Sequence, residues 1–239
     1  MKKLILAAFA LTTAASVFAQ GTVAFNNNSS GNIRFHVYAP LATDTSVSQL
    51  GQGTGDQVPV GNTVWTPFSL IGASGIATSY GAATTLAQLI GVGTTGATVQ
   101  PEASLVPANP VTSFRSGAGA GYVSATTATL LNVLPDGLAT LEMVAWDDSP
   151  TAIAAAGLKG FTLTSWGTIG SLGALDAWRA GAMAAGESGR FNATLGGTGT
   201  PPFLVGAQSF NLYMVPEPST FALAGLGLAA LVAFRRRNK

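Results

Sequence analysis

The stretch LATLEMVAW, residues 138–146, is the strongest strand signal in the 239-residue sequence. Alternate residues of a strand point to opposite faces of a sheet, so each face can be examined separately. One face carries Leu141, Met143 and Ala145, and the other carries Glu142, Val144 and Trp146. Because both faces are largely apolar, we expect a strand that is buried on each side. The turn sequence Pro135-Asp136-Gly137 precedes it.

Further β-prone segments recur along the chain between glycine-rich turns. They are residues 22–26, 33–38, 64–71, 122–133, 190–195 and 209–215. The polar cluster at 27–32 predicts a hairpin between the first two segments. Residues 83–92 are compatible with either helix or strand. The pattern predicts a mainly β domain over residues 20–214, built as an antiparallel β-sandwich.

One segment, residues 171–185, has a helical period instead. Its larger side chains are spaced three and four residues apart, at Leu172, Leu175, Trp178 and Ala182. Ser171 is suited to the N-cap position and Gly186 to the C-cap position. The sequence therefore predicts one short helix packed on the sheets.

The N-terminus has the three parts of a secretory signal peptide, over residues 1–19. Lys2 and Lys3 form a basic start, and residues 4–11 are apolar. The sequence Val17-Phe18-Ala19 matches a V-x-A cleavage site. We expect signal peptidase to cut between Ala19 and Gln20. The apolar part is too short to span a bilayer core of about 30 Å, which argues against an N-terminal membrane anchor.

The C-terminus also has three parts, over residues 215–239. Val215-Pro216-Glu217-Pro218 comes first, then an uncharged apolar run at 221–234, then Arg235-Arg236-Arg237. The prolines favour an extended backbone, which a membrane protease can bind. The run predicts a single transmembrane helix, with the arginine cluster retained on the cytoplasmic side. The alternative is a simple C-terminal membrane anchor that is preceded by prolines and is not processed.

This three-part end resembles the PEP-CTERM sorting domain of Gram-negative bacteria that make extracellular polysaccharide. The resemblance rests on Pro216-Glu217-Pro218, on the apolar run and on the arginine cluster. It implies recognition by an exosortase, a membrane-embedded cysteine transpeptidase. The resemblance further implies an inner-membrane-anchored precursor that is cleaved near the motif and then reaches the cell surface or extracellular matrix.

The composition excludes several classes of protein. The chain has no Cys, which rules out a disulfide scaffold and cysteine-based zinc sites. Only 9% of residues are charged, and residues 20–215 carry five basic against nine acidic residues, a net charge of −4. We therefore expect no nucleic-acid partner. We also expect no cofactor.

The sequence gives little support to nucleophilic catalysis or to nucleotide binding. His36 is the only histidine, and no G-x-S-x-G sequence accompanies it. We interpret His36 as a surface strand residue. Residues 91–96 match G-x-G-x-x-G, but a β-prone stretch ending in Pro101 follows them where a nucleotide site needs a helix. We interpret residues 91–110 as a long loop.

The acidic residues offer two hypotheses. Asp147 and Asp148, adjacent at a strand end, form a candidate calcium pair. The alternative is a turn in which aspartate caps backbone amides before Pro150. A hydrolase needs two facing carboxylates. The candidates for such a pair are Glu142, Asp147, Asp176 and Glu187.

These observations predict a non-enzymatic exported surface or extracellular-matrix protein with an exosortase as its processing partner. Two alternatives stay open. One is a carbohydrate-binding module that holds extracellular polysaccharide with an exposed tryptophan. The four candidates are Trp65, Trp146, Trp166 and Trp178. The other is a secreted hydrolase.

Overall fold

The computed structural model describes residues 20–76, 78–155, 170–197 and 199–216. The predicted signal peptide including Ala19 lies outside the described residues. So do Trp166 and the segment 217–239, which holds Glu217, Pro218, the apolar run and the arginine cluster. Within the described part of the chain, no helix is both long and apolar enough to cross a bilayer.

A six-stranded sheet forms the centre of the fold. Strand β9 (Leu138–Asp147) pairs antiparallel with β5 (Thr85–Gly93) along its whole length, from Asp147 opposite Thr85 to Ala139 opposite Gly93. Every residue of β9 from Ala139 to Asp147 is buried, which confirms the strand predicted from LATLEMVAW. Four short strands complete the sheet: β10 (Ala185–Glu187) and β11 (Phe191–Thr194) pair with β9, while β6 (Val106–Pro107) and β7 (Thr112–Ser113) pair with β5.

Among the described residues, three two-stranded sheets accompany the central one. They are β1 (Gly21–Phe25) with β8 (Thr126–Leu130), β2 (Asn28–Ser29) with β3 (Ile33–Arg34), and β4 (Val37–Tyr38) in parallel with β12 (Phe210–Asn211). A hairpin does form at the predicted turn, but it pairs β2 with β3, while residues 22–25 pair with β8 and not with 33–38. Val23 and Phe25 on β1 are fully buried, and β8 supplies the matching apolar residues Ala128 and Leu130.

Two apolar clusters lie on the two faces of the central sheet. The first joins Leu141 and Met143 of β9 to Val23 and Phe25 of β1. The second joins Trp146 of β9 to the helix described below. The architecture is thus mainly β with sheets in layers. It departs from the predicted antiparallel sandwich because the second layer consists of short pieces and because β4 and β12 run parallel.

Two short helices are present in the described residues, α1 (Pro150–Ala155) and α2 (Gly170–Arg179). In α1, Pro150 occupies the first helical position, and the Ser149 hydroxyl accepts the Ala152 N–H at 3.3 Å. The helix predicted at 171–185 corresponds to α2 but ends earlier. Gly181 has a positive φ of 74°, which stops the helix, and the chain then forms β10.

Gly186 is consequently a strand residue of β10 and does not cap a helix. A Cβ at Gly186 would overlap the backbone carbonyl of Asn211, so this close approach requires glycine. Gly91 of the G-x-G-x-x-G match lies within β5, where a Cβ would come within 2.7 Å of the Leu130 side chain. Packing therefore explains this glycine. The predicted loop at 91–110 is in part wrong, because it contains the end of β5 and all of β6.

We predicted a strand at 64–71, but this segment does not form one. Pro67 has no N–H to donate, and the Phe68 N–H donates to the Trp65 carbonyl at 2.7 Å, which turns the chain. The turn places Trp65 and Phe68 on the same side as Tyr38 of β4, with 4.1 Å between the centroids of the Tyr38 and Trp65 rings.

Candidate functional site

The sorting segment leaves the domain where the last backbone hydrogen bonds form. The Tyr213 N–H donates to the Ala185 carbonyl at 2.9 Å, and the Met214 N–H donates to the Thr45 carbonyl at 2.7 Å. Trp178 also donates its indole N–H to the Tyr213 carbonyl at 2.9 Å. Val215 packs against the second apolar cluster, and Pro216 is exposed. The domain therefore holds the chain firmly up to the first residue of the predicted motif.

His36 lies in a network of buried polar groups and is not the surface strand residue we predicted. Its Nδ1 is 2.7 Å from Oδ1 of Asp56, and its side chain is 15% exposed. The second carboxylate oxygen of Asp56 accepts the Ser209 hydroxyl at 2.8 Å and the Gly53 N–H at 2.5 Å. Ser209 Oγ in turn accepts the His36 backbone N–H at 2.7 Å.

This histidine, aspartate and serine do not form a nucleophilic triad. In such a triad the imidazole lies between the serine hydroxyl and the carboxylate. Here the carboxylate of Asp56 lies between the other two, and Ser209 is fully buried. The network is thus arranged to fix β4 and β12 to the loop that carries Asp56.

A pocket of about 440 Å³ opens beside this network. Its aromatic wall contains Tyr38 and Trp65, stacked with 4° between their planes, and the edge of Phe68. Burial raises the pKa of Tyr38 well above its usual range, and the negative charge of Asp56 raises it further. Concave sites of this size with a few polar groups are typical of small-ligand binding.

The described tryptophans are largely covered. The exposed fractions of Trp65, Trp146 and Trp178 are 9%, 0% and 8%. This burial counts against the open aromatic platform that the carbohydrate-binding hypothesis predicts. Only Trp65 of these three lines the pocket beside His36.

Asp147 and Asp148 are buried at the end of β9, and each already has a protein donor. Asp147 accepts the Ser149 N–H at 2.9 Å, and Asp148 accepts the indole N–H of Trp146 at 3.1 Å. Burial raises the pKa of Asp147 to about 6, and the hydrogen bonds from Ser149 oppose that rise. The carboxylate of Asp147 caps the turn before Pro150, as the alternative interpretation holds. The calcium pair stays a prediction.

Two of the sequence-predicted carboxylates do meet, and a third joins them. Oxygen atoms of Glu102, Glu142 and Glu187 all lie within 4.8 Å of one another. Glu142 projects from β9 and Glu187 from β10, while Glu102 begins the 3-10 turn Glu102–Ser104. Asp176, another predicted candidate, instead lies 3.6 Å from Arg179 on the exposed face of α2. We call Glu102, Glu142 and Glu187 the glutamate cluster.

It is electrostatically unfavourable for all three carboxylates of the glutamate cluster to be ionised at the same time. Burial, together with the charges of Glu187 and Glu102, raises the pKa of Glu142 to about 8. Burial likewise raises the pKa of Glu187 to about 7. Arg179 and Arg190 oppose both shifts, and Arg179 is paired directly with Glu102.

Glu102, Asp56 and Ser209 were not predicted as site residues. Nothing local marks Glu102, since it lies between long loops and its partners are 40 and 85 positions away in the chain. Asp56 and Ser209 are separated by 153 positions. The one available signal was Glu142 itself, a carboxylate within an otherwise apolar strand.

Comparison with known proteins identifies the C-terminal end. Residues 215–237 match the PEP-CTERM protein-sorting motif. The chain therefore carries a PEP-CTERM sorting motif, as the resemblance at Pro216-Glu217-Pro218 predicted. The motif indicates an exported protein that is targeted to an exosortase and anchored in the membrane before processing. No match was found among curated proteins or solved structures.

Proposed function

We propose that this chain is a non-enzymatic protein of the cell surface or extracellular matrix of a Gram-negative bacterium. Signal peptidase removes residues 1–19, and an exosortase-type transpeptidase then cleaves at Val215-Pro216-Glu217-Pro218. The transmembrane helix at 221–234 and the cluster Arg235-Arg236-Arg237 hold the precursor in the inner membrane until that cleavage.

The observation that carries this proposal is the position of the sorting motif relative to the folded domain. The motif begins at residue 215, one residue after the Met214 N–H makes its hydrogen bond to Thr45. Cleavage after this point removes no residue that the described domain uses in its sheets. The exposed Pro216 gives a membrane protease access to the segment.

The non-enzymatic part of the proposal is supported by the histidine network. His36 is the single imidazole of the chain, and its Nδ1 is occupied by Asp56. Ser209 donates to the same carboxylate from a fully buried position, so its hydroxyl is not presented to a substrate. General-base activation would require the Ser209 hydroxyl to lie at the other ring nitrogen of His36, and it donates to the carboxylate instead.

The sorting step is tested by following both ends of the chain in cells of the producing type. An epitope placed after Lys239 reports the tail, and an antibody against the domain reports the rest. We expect mature surface protein to lack the tail epitope, and cells without the exosortase to keep it in the inner membrane.

Replacement of Pro216, Glu217 and Pro218 by alanine is expected to abolish the processed form. Pro101→Ala, which changes an exposed proline outside the motif, serves as the control and is expected to process normally. Mature surface protein that still carries the tail epitope would contradict the proposal. Unchanged processing of the alanine variant would contradict the assignment of the motif.

A second candidate function is binding of a saccharide in the pocket beside His36. The specific observation is a concavity of about 440 Å³ in which stacked Tyr38 and Trp65 meet the buried carboxylate of Asp56. Aromatic rings offer apolar faces, while the polar groups at the rim orient a ligand. The ligand here would be recessed, unlike a glycan lying on an open platform.

Trp65→Ala is expected to eliminate glycan binding because it removes one of the two stacked rings. The measurement is glycan-array binding by the full chain in mild detergent, with the producer's own polysaccharide included. Val60→Ala is the control, since Val60 is 65% exposed and lies outside the lining of the pocket. Absence of glycan binding by the wild type, or equal binding by Trp65→Ala, would refute this second function.

A further inference from the structure

We infer that the glutamate cluster is a calcium site that ties the edge of the central sheet to the loop before β6. The inference goes beyond sorting, since it concerns residues of the exported domain and not the motif. Glu142, Glu187 and Glu102 come from three separate parts of the chain, two strands and one 3-10 turn. A cation bound by all three would therefore act as a cross-link.

The geometry of the oxygens suits calcium. Two oxygens bound to one Ca²⁺ at about 2.3–2.6 Å are at most about 5 Å apart. The three carboxylate oxygens here lie within 4.8 Å of one another, so they fit on one such sphere. Mg²⁺ demands near-ideal octahedral geometry at about 2.0–2.1 Å and keeps several of its waters, whereas Ca²⁺ accepts flexible sites with several carboxylates.

Glu142 supplies a second and independent indication. The residue is only 2% exposed, and its Oε2 has no hydrogen-bond partner among the described residues. An unpaired carboxylate oxygen in the interior is costly, and buried charges are normally paired or bind metals. Oε1 of Glu187 is likewise buried without a partner in the described part of the chain. Two unsatisfied oxygens therefore occur in the same cluster.

The nearby cations compensate the cluster only in part. Arg179 pairs with Glu102, and this contact holds the loop carrying Glu102 against α2. Arg190 donates to the Gln100 carbonyl at 3.1 Å, so its guanidinium is directed to the loop backbone. Neither arginine makes a hydrogen bond to Glu142 or Glu187 in the described structure. A divalent cation would supply the charge that the arginines leave uncompensated.

The donor set restricts the ion to hard metals. All three ligands are carboxylates, and the chain has no Cys while its single His is bound to Asp56 elsewhere. Oxygen-only sites select Ca²⁺, Mg²⁺ or Mn²⁺ over zinc and copper. Three carboxylates from the protein then favour Ca²⁺, because Mg²⁺ is usually bound by only one or two. Water completes the coordination, as is usual for calcium sites with few protein ligands.

The test is calcium binding by the full chain in mild detergent after treatment with EDTA. We expect isothermal titration with CaCl₂ to give one saturable site per chain and a calcium-dependent rise in the midpoint of thermal unfolding. MgCl₂ is expected to give a weaker response. No calcium binding, or equal binding of magnesium, would overturn the inference.

The variants Glu142→Gln and Glu187→Gln keep the shape of the side chain and remove its charge. Each is expected to lose both the binding heat and the thermal shift. Asp176→Asn is the matched control, because Asp176 also lies beside Arg179 but is outside the cluster, and it should respond as the wild type does. If one variant fails to fold by circular dichroism, the other decides the test. Calcium binding retained by the folded variants would overturn the site, and its loss in Asp147→Asn would assign the ion to the aspartate pair.

Discussion

Replacement of Trp146 by alanine is expected to lower the free energy of unfolding by about 3–5 kcal/mol. Trp146 is fully buried near the end of β9, opposite Leu86 of β5 and opposite Ala185 of β10. Its indole fills the second apolar cluster beneath α2. The alanine variant leaves a cavity that β5, β9 and β10 cannot close, because those strands are fixed by their pairing.

The indole also has a polar role. Its Nε1–H donates to Oδ1 of Asp148 at 3.1 Å, and Asp148 is 8% exposed. Alanine therefore removes the donor as well as the packing. Trp146→Phe keeps much of the apolar volume and loses only the donor, so we expect a smaller cost of about 1–3 kcal/mol.

Urea unfolding followed by far-ultraviolet circular dichroism measures these losses without depending on tryptophan fluorescence. Leu131→Ala is the control, because Leu131 is 56% exposed and its replacement should cost no more than about 0.5 kcal/mol. A loss of less than about 1 kcal/mol for Trp146→Ala would mean that α2 or the sheet repacks.

The central strand shows why part of this fold could be predicted from sequence. Consecutive apolar residues indicate that β9 is buried on both faces, so LATLEMVAW was sufficient to predict this strand. The adjacent β5 was ambiguous because ATTLAQLIGV has apolar residues that fit either period, and only pairing with β9 decides between them. Local pattern is informative where the environment is uniform along the segment.

Pairing between distant strands could not be predicted in the same way. β1 was placed correctly, but its partner β8 begins about 100 residues later, and a nearer segment at 33–38 offered an equally plausible partner. That nearer segment is instead divided between β3, which pairs with β2, and β4, which pairs with β12. The choice depended on contacts between residues that the sequence separates widely.

The helix illustrates competition between local and long-range preferences. The alanine-rich stretch after Arg179 favours continuation of α2. Ala185 nevertheless pairs with Trp146, and Gly186 makes a close approach to Asn211. Pairing with the central sheet thus overrides helix propensity in the second half of the predicted segment.

The same separation hid the glutamate cluster and the histidine network. Glu142 was noticed only as one of few acids, since its role depends on Glu187 and Glu102. The sorting motif could be predicted from the sequence because its residues are consecutive in the chain. Signals recognised by other proteins are local, and sites made by folding are not.

Replacement of Asp56 by alanine is expected to destabilise the domain by about 3–5 kcal/mol, because it leaves three largely buried groups without their acceptor at about 1–3 kcal/mol each. Asp56 is 2% exposed and accepts hydrogen bonds from the His36 ring, the Ser209 hydroxyl and the Gly53 N–H. The alanine variant leaves these three groups without their acceptor. Their burial prevents water from replacing the carboxylate fully.

The effect should extend to the strands that the network joins. Ser209 precedes β12 and also accepts the His36 backbone N–H, so loss of Asp56 loosens the pairing of β4 with β12. Hydrogen exchange of the amides in β4 and β12 should therefore increase more than exchange in β9. Asp56→Asn retains one acceptor oxygen and is expected to lie between the wild type and the alanine variant in stability.

Asp176→Ala is the matched control for the buried pair. Asp176 also pairs with a cation, Arg179, but its side chain is 83% exposed, so its removal is expected to cost about 0.2–1 kcal/mol. Urea unfolding of the two variants thus compares a buried with an exposed aspartate pair in the same chain. If Asp56→Ala lowered the free energy of unfolding no more than Asp176→Ala, the histidine network would not hold β4 and β12 to the loop around Asp56. The shape of the pocket would then depend on the stacked rings of Tyr38 and Trp65.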